Sequence, residues 1–313
     1  MQKRKEIHID NLTYIIVTWN NENTIVNCVD SILEYESGSS IVVVDNCSTD
    51  STIELLKDKF DGNITLIEQD SNVGFAEGNN RGLEYVHTEY VCFLNPDTVL
   101  IESISGDIVS YFCKNKSVGI VGPALLNPDG TMQPSVSTFE RPFNTFIRNL
   151  GIGRFLPKRL KRKYTPFYYI YDTPCIVDWL MGAALYSRTM DIKAIDGFSK
   201  DYYMYTEDMD LCIKMSTLLG KHTVIFPDKK VIHIGGVSEL QNMSYHKFRK
   251  MQENELVFIK KFYPELLNRY KLLKKISFRI RGLFVILFVH NDSRNGLLNN
   301  VKIAVDVLEN SFL

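Results

Sequence analysis

The chain has 313 residues, of which 45% are hydrophobic, 23% charged and 12% aromatic, so it can bury a large core. This composition excludes a disordered chain, a collagen-like repeat and a disulfide-stapled miniprotein. Its 36 basic and 37 acidic residues give a net charge of −1, which disfavours a globally basic nucleic-acid binder. The six cysteines form no CxxC pair, which disfavours a zinc ribbon or a redox dithiol and fits a reducing cytosol.

The first hundred residues alternate between strand and helix patterns. Short apolar runs predict buried strands at 14–17, 41–44, 64–67 and 90–94. Apolar residues at helical spacing predict helices between them at 25–33, 53–60 and 75–86, with Ser48 or Thr49 capping the second helix. This alternation predicts βαβ units, a parallel sheet, and a ligand site at the edge where the strands end.

Two later stretches are rich in basic residues. Residues 140–163 contain eight Lys or Arg and one acid, with several aromatics, and we expect a mobile basic-aromatic insertion at 140–170. Residues 247–281 contain eleven basic and three acidic residues and predict a helical C-terminal region at 241–313. Both could lie on an anionic membrane surface or be solvated helix faces.

No stretch of the chain has the length of a membrane span. The purest apolar run, at 283–289, has seven residues, whereas about 20 are needed to cross a bilayer. The basic residues at the start of the chain are not followed by the apolar stretch of a signal peptide. We therefore expect a cytoplasmic protein, with peripheral attachment to the inner face of the cell membrane as an open alternative.

Polar side chains follow three of the predicted strands. Thr18 and Trp19 follow the first strand, Asp45 the second and Asp97 the fourth. Asp45 could accept a hydrogen bond from a base, Trp19 could stack on one, and Asp97 could hold a divalent cation with phosphate oxygens. Asp, Asn and Ser also cap helices at such junctions, but their recurrence at three junctions favours a binding site.

The ordered motifs resemble those of glycosyltransferase family 2, which is inverting and has the GT-A fold. The family pattern lies at 16–20, 43–51, 72–82 and 93–98, and further pieces at 179–184, 197–198, 205–212 and 233–238 resemble its rhamnosyltransferase-like branch. The resemblance implies an α/β GT-A fold with a mostly parallel central sheet flanked by helices and a C-terminal helical appendage. It implies a catalytic domain at 1–240, with a nucleotide-binding half at 1–100 and an acceptor half at 171–240.

The same resemblance assigns residues to the donor site. The metal motif, usually Asp-x-Asp, reads Asn95-Pro96-Asp97 here and so has one charged ligand fewer. His233 is implied as a second metal ligand or a diphosphate contact, against the alternative of a core histidine. The implied cofactor is Mg²⁺ or Mn²⁺. The implied nucleotide contacts are Thr18, Trp19, Asp45, Asn72, Gly74, Asn79, Asn95 and Asp97.

An acidic cluster at 207–210 carries the candidate catalytic residue. Aromatic residues precede it, and apolar surroundings raise the pKa of a carboxyl group toward the range of a general base. The family's base corresponds to Asp208. Acids in the first turn of a helix also complement its dipole, which fits Glu207 and Asp210. Trp179, Gly182 and Glu207 are implied on the acceptor side.

These assignments imply inverting sugar transfer from a nucleotide-diphosphate donor, with rhamnose favoured. The acceptor would be a glycan or a polyprenyl-diphosphate-linked sugar of bacterial surface-polysaccharide synthesis. UDP-hexose and UDP-galactofuranose donors share the motifs, and a catalytically silent nucleotide-sugar binding module is a further alternative. A Rossmann dehydrogenase is excluded because no GxGxxG motif follows the first strand.

Overall fold

This computed structural model describes residues 11–235, 245–290 and 293–310. They form two compact units. The first contains 11–135 and 171–235, and the second contains 136–170 with the described residues from 245 onward. The last three residues of the motif at 233–238 lie outside the described residues.

A ten-stranded mixed sheet forms the centre of the first unit. The strand order is β3-β2-β1-β4-β11-β6-β12-β5, with β7 on β6 and β9 on β12. The first four strands in that order run parallel, whereas β11 is antiparallel to both neighbours. The predicted α/β class, with a central sheet flanked by helices, is confirmed. The strands are β1 Leu12–Thr18, β2 Ser40–Asp45, β3 Thr65–Glu68, β4 Tyr90–Leu94, β5 Thr98–Leu100, β6 Val118–Leu126, β7 Met132–Gln133, β9 Cys175–Val177, β11 Ala184–Arg188 and β12 His222–His233.

Helices follow the strands as the apolar spacing requires. In the first of them the predicted apolar positions are buried except Leu33, which faces solvent. Glu36, just after this helix, accepts hydrogen bonds from the backbone N–H groups of Ile104 (2.6 Å) and Ser105 (3.1 Å), and so caps the fourth helix. The unit's helices are α1 Ile25–Tyr35, α2 Thr52–Phe60, α3 Phe75–Leu83, α4 Ser105–Lys114, α7 Thr189–Ala194 and α8 Glu207–Leu219, and β10 spans Trp179–Leu180.

Predicted and observed boundaries differ at a few points. Strand β4 has the predicted bounds, β3 begins one residue later, and α3 ends at Leu83 rather than at residue 86. The sequence predicts Ser48 or Thr49 as the cap of α2, but that helix begins only at Thr52. Ser48 instead bonds to Asp45, which holds the turn after β2.

The second unit is helical. Residues 140–163, expected as a mobile insertion, instead contain two helices, and Glu140, Pro142 and Thr145 are buried. They are ordered because α5 packs on α10. No helix in the described part of the chain is long and apolar enough to cross a membrane. The elements are β8 Val136–Ser137, α5 Pro142–Asn149, α6 Lys158–Tyr164, α9 Tyr245–Phe262, α10 Leu267–Phe288 and α11 Ser293–Asn310.

A buried ionic network joins α5, α9 and α10. We call Glu140, Arg148, Glu255, Tyr270 and Lys274 the paired carboxylate cluster. Nη2 of Arg148 lies 2.6 Å from Oε1 of Glu140, and Lys274 pairs with Glu255. The Tyr270 hydroxyl lies within hydrogen-bonding distance of both carboxylates, at 3.2 and 2.8 Å. Two cations thus face two anions, which offsets the cost of burying them.

Candidate functional site

The ends of β1 and β2 lie side by side at one edge of the sheet. Thr18 and Asp45 are paired in register, and the N–H of Asn46 donates to the carbonyl of Thr18 (2.8 Å). The Asn46 amide also donates to the carbonyl of Gly74 (3.1 Å), which draws in the segment before α3. Three segments predicted as nucleotide contacts therefore converge.

Within this edge the predicted residues differ in exposure. Trp19 is 51% exposed, so its ring is available for stacking. Asp45 has no exposed surface, and its carboxylate accepts hydrogen bonds from the N–H (2.8 Å) and hydroxyl (2.5 Å) of Ser48. Thr18 is also buried, and its hydroxyl donates to Asn21 (3.1 Å). Trp19 is thus the member of this group that faces solvent.

Hydrogen bonds between side chains and backbone groups hold the segment at 72–79. The side chain of Asn72 accepts from the N–H of Gly74 (3.0 Å), and Asn79 donates to the carbonyl of Phe75 within α3 (2.9 Å). Gly74 has φ +86°, and a Cβ there would lie 2.4 Å from the carbonyl oxygen of Tyr203. Glycine is required at this position by conformation and by space.

Asn95, Asp97 and His233 come together where β4 ends and β12 ends. Nε2 of His233 lies 3.3 Å from Oδ1 of Asp97 and 3.4 Å from the amide nitrogen of Asn95. A Cβ at Gly235 would lie 2.0 Å from Oδ2 of Asp97, so the glycine leaves the room that this carboxylate occupies. The structure brings together the residues predicted to hold a metal.

Gln133, on β7, orients the ring of His233. Its amide nitrogen donates to the carbonyl of His233 (3.1 Å) and to Asn127 (3.0 Å), so its oxygen faces Nδ1 of the ring at 2.7 Å. Nδ1 therefore donates to Gln133, and Nε2 is the ring nitrogen directed at Asp97. Polar partners on Nδ1 are typical of metal-binding histidines.

The donor set fits a divalent cation. Nε2 of His233 and the carboxylate of Asp97 face each other at 3.3 Å, so one cation could bind both. The side-chain oxygen of Asn95 is buried with no hydrogen-bond partner among the described residues. Carboxylate, amide oxygen and imidazole suit Mg²⁺ or Mn²⁺ when phosphate oxygens complete the shell. Among the described residues, no three or more His, Cys, Asp or Glu side chains are arranged to hold a metal ion together.

Asp208 lies in the first turn of α8, half-buried. Its carboxylate accepts hydrogen bonds from the backbone N–H of Gly182 (3.0 Å) and of Met209 (2.7 Å). Burial raises the pKa of Asp208 to about 6, although the two N–H groups act in the opposite direction. A carboxylate with such a pKa is ionised at neutral pH and can still accept a proton in a reaction.

Glu207 and Asp210 are buried beside Asp208. Burial and the negative charge of Asp208 together raise the pKa of Glu207 to about 8. Asp210, close to Tyr202, adds to the rise in the pKa of that phenol, which burial mainly causes. Glu207 is therefore largely protonated at neutral pH, and Asp208 is the carboxylate of the pair that carries the charge.

The backbone before α8 is strained. Tyr205 and Thr206 are both left-handed, with φ +70° and +80°. Non-glycine residues rarely adopt this conformation, and for a β-branched threonine it costs on the order of 1–3 kcal/mol. Such strain is held where the surrounding structure fixes a functional loop, here the loop that presents Glu207 and Asp208.

Backbone contacts join the acidic cluster to the other predicted residues. The N–H of Asn95 donates to the carbonyl of Ala183 (2.9 Å), the neighbour of Gly182, which bonds to Asp208. The N–H of Phe75 donates to the carbonyl of Tyr203 (3.0 Å) in the loop before α8. Asp208 is thus linked to the Asp97–His233 pair and to the segment at 72–79. Trp179, predicted on the acceptor side, lies half-buried on β10.

Sequence reasoning did not find Gln133, Tyr203 or Asn80. Asn80 donates to the carbonyl of Phe198 (2.9 Å) and accepts from its N–H (2.8 Å), which ties α3 to the loop before α8. The repeated Asn in the motif at 72–82 was the available signal for Asn80. Gln133 gave none, because its role depends on β7 returning alongside β6.

Known proteins resemble this chain in sequence and in fold. The profile described as "Glycosyl transferase family 2" matches residues 13–171, more than half of the chain. N-acetylglucosaminyl-diphospho-decaprenol L-rhamnosyltransferase of Mycobacterium tuberculosis is 25% identical over 218 residues, covering 64% of this chain and 68% of the relative. Rhamnosyltransferase WbbL of Escherichia coli is 27% identical over 170 residues, covering 51% and 60%.

A solved structure agrees in fold. The crystal structure of GalNAc-T7 with UDP, GalNAc and Mn²⁺ aligns with a TM-score of 0.58 at 11% identity, covering 96% of this chain and 56% of that one. At this identity the likeness concerns the fold alone. Taken with the profile match and the rhamnosyltransferase relatives, it confirms that the chain is a glycosyltransferase with the GT-A fold, and it belongs to glycosyl transferase family 2.

Proposed function

We propose that this enzyme transfers a sugar, with rhamnose favoured, from a nucleotide-diphosphate donor to a hydroxyl of a glycan or lipid-linked acceptor, with inversion. The observation that carries the proposal is Asp208, a half-buried carboxylate with a pKa of about 6, linked through Gly182 and Asn95 to the Asp97–His233 pair. The names of the two rhamnosyltransferase relatives support the choice of sugar. The words "diphospho-decaprenol" in the name of the Mycobacterium tuberculosis relative support a lipid-linked acceptor.

The donor would lie across the strand ends of the first unit. The exposed ring of Trp19 would stack on the base, and Thr18, Asp45, Asn72, Gly74 and Asn79 would form the wall of the nucleotide site. Because Asp45 is already bonded to Ser48, it would act on the base only through its remaining lone pairs or by a shift of Ser48.

Asp97 and His233, with Asn95, would hold a divalent cation against the diphosphate. When bound, Mg²⁺ or Mn²⁺ stabilises negative charge on the leaving diphosphate. Gln133, 2.7 Å from Nδ1, holds the ring so that Nε2 of His233 is directed at Asp97. With one carboxylate in the motif instead of two, we expect weaker metal binding than an Asp-x-Asp motif would give.

In the reaction, Asp208 takes the proton of the acceptor hydroxyl as that oxygen attacks the anomeric carbon. A new carbon–oxygen bond forms on one face while the bond from the anomeric carbon to the diphosphate oxygen breaks on the other. The pair of electrons leaves with the nucleoside diphosphate, and the configuration inverts. Glu207, largely protonated, could donate a hydrogen bond to the acceptor, and Trp179 and Gly182 would border it.

We place the reaction in bacterial surface-polysaccharide synthesis, in the cytoplasm and at the inner face of the cell membrane, where a lipid-linked acceptor presents its sugar. The catalytic domain would span 1–240, with the nucleotide half at 1–100 and the acceptor half at 171–240. The polar chemistry of the site is that of a sugar nucleotide and a glycan, and no nucleic-acid partner is proposed.

Two measurements test the proposal. Thermal-shift screening against dTDP-, UDP- and GDP-sugars, with and without Mn²⁺, should reveal one stabilising donor, and His233→Ala should remove the effect of Mn²⁺. With that donor, Asp208→Asn should lower kcat by about 10²–10⁴-fold while donor binding persists. Undiminished transfer would exclude Asp208 as the base. A donor that binds without any turnover would favour the silent binding module.

A further inference from the structure

A line of large apolar side chains lies on the solvent side of α10 in the second unit. Its members are three or four residues apart, except for one adjacent pair, and so share one side of the helix. Each is more than a third exposed, and Leu283 reaches 59%. We call this line the α10 stripe, and its residues are Leu272, Ile276, Ile280, Leu283, Phe284 and Leu287.

The opposite side of α10 packs within the unit. Tyr270, Phe278 and Val285 are buried there, and Gly282 lets α11 approach, because a Cβ at that position would lie 3.2 Å from Val301. The helix is therefore apolar on two sides, and only one is covered by the second unit. Contiguous exposed apolar surface on the order of several hundred Å² marks an interaction site in soluble proteins.

The charges around the stripe are mainly positive, although Glu309 of α11 pairs with Lys275 and lies 3.7 Å from Arg279. Helix α10 carries six basic residues and no acid. Arg279 and Arg281 lie next to the stripe and are exposed. Residues 141–163 of the same unit carry a further eight basic residues and no acid. An occupant of this surface must therefore offer apolar volume together with negative charge.

A second copy of this chain fits that requirement poorly. In a symmetric dimer the same helix meets itself, so basic residues would face basic residues along the contact. An anionic lipid surface offers acyl chains and phosphates together. Because no described helix is long and apolar enough to span a bilayer, α10 would lie in the plane of the surface.

We propose that the α10 stripe is a membrane-docking surface that inserts among the headgroups of an anionic bilayer, with Arg279 and Arg281 at the phosphates. At about 1.5 Å per residue the 22-residue helix is about 33 Å long, which gives an extended line of insertion. The inference rests on the proposed function, because docking would bring the enzyme to the membrane that holds a lipid-linked acceptor.

Vesicle flotation tests the proposal with the full-length protein. Vesicles of phosphatidylcholine with phosphatidylglycerol should bind it, and pure phosphatidylcholine should bind it much less. The pair Leu283→Glu and Leu287→Glu should lower binding at least tenfold. The pair Arg279→Gln and Arg281→Gln should lower binding about fivefold for each charge removed. Added salt should weaken the binding of the wild type, because it screens the same charges.

Matched controls separate the outcomes. Leu218→Glu introduces a single glutamate at a leucine of α8 that is 63% exposed. It should bind vesicles like the wild type, and the single variant Leu283→Glu should bind less. Asp208→Asn should also bind normally, so a failed catalytic assignment leaves this result intact. Equal binding by the stripe variant and the wild type, or no binding to anionic vesicles, would overturn the proposal. The proposal would also be overturned if light scattering showed a dimer of the wild type and a monomer of the stripe variant.

Discussion

The acidic residues of α8 and the paired carboxylate cluster of the second unit bury the same chemical group with opposite results. In α8, burial raises the pKa of Asp208 to about 6 and of Glu207 to about 8. In the second unit, burial acts in the same direction on Glu255, but the charges of Lys274 and Arg148 outweigh it and hold its pKa below the ordinary value. The position of cations, more than burial, decides which carboxyl group can exchange a proton near neutral pH.

The two regions should therefore respond to pH in opposite ways. A carboxyl group with a raised pKa stabilises the fold most below its unfolded pKa, and this contribution is lost as pH rises through the folded value. Glu207 loses its contribution between about pH 4.5 and 8. Glu255, whose pKa is lowered, contributes above about pH 4.5 and loses its contribution on acidification.

The largest expected effect is the removal of a cation from the paired carboxylate cluster. Lys274→Met leaves Glu255 buried with one cation fewer, and we expect a loss of about 3–5 kcal/mol in the free energy of unfolding at pH 7. Urea unfolding measures it. The neighbouring Lys275→Met, which breaks a partly exposed pair with Glu309, should cost at most about 1 kcal/mol. Similar losses for the two variants would mean that Lys274 does not compensate the buried charge of Glu255.

The reverse change in α8 should stabilise the protein. Glu207→Gln removes a carboxyl group that must ionise while buried, so stability at pH 9 should rise on the order of 3 kcal/mol, with no gain at pH 4. Thermal unfolding across this pH range measures the change. Glu54→Gln, an exposed first-turn glutamate of α2, serves as the control and should show no such pH dependence. A gain that is independent of pH would contradict the assignment.

Activity should report the same pair of groups. Transfer should increase with pH through about 6, as Asp208 loses its proton. A second change near pH 8 should belong to Glu207. Rate profiles of kcat/KM should retain the lower transition in Glu207→Gln and lose the upper one. Loss of the lower transition in that variant would exchange the roles of the two residues.

The smallest expected effect concerns the strained backbone before α8. Thr206→Asn should stabilise the protein by about 1 kcal/mol, because asparagine tolerates the left-handed conformation better than a β-branched residue. Thr217→Asn, a substitution inside α8, should give no gain in stability. Calorimetry of both variants provides the comparison, and equal effects would show that the strain at residue 206 stores no free energy.

What could be predicted from the sequence follows from local physics. Strand β4 is buried along its whole length, so its apolar run gave its bounds correctly. Apolar spacing after Asp208 likewise placed that residue in the first turn of a helix. The confirmed family and fold rest on the motif order. The assigned site residues stay predictions, although the contacts among Asn95, Asp97 and His233 and between Gly182 and Asp208 support them.

Other features depend on contacts that no local pattern encodes. Tyr270 and Glu140 are 130 residues apart, so the basic insertion could not be recognised as one side of a buried ionic network. Gln133 and His233 are 100 residues apart. At Thr206 the local preference even opposes the observed conformation, since β-branched residues avoid the left-handed region. In α1 the apolar spacing predicted the helix correctly, but Leu33, one of its predicted apolar positions, faces solvent.

The contact between Gly74 and Tyr203 has a consequence for the order of events in turnover. The carbonyl of Tyr203 accepts the N–H of Phe75, and the Tyr203 ring lies against Gly74, so the loop before Asp208 and the segment at 72–79 are joined. A displacement of either segment would therefore break this hydrogen bond or carry the other segment with it. If Asp208 is the base and the segment at 72–79 borders the donor, as proposed, the positions of base and donor are coupled.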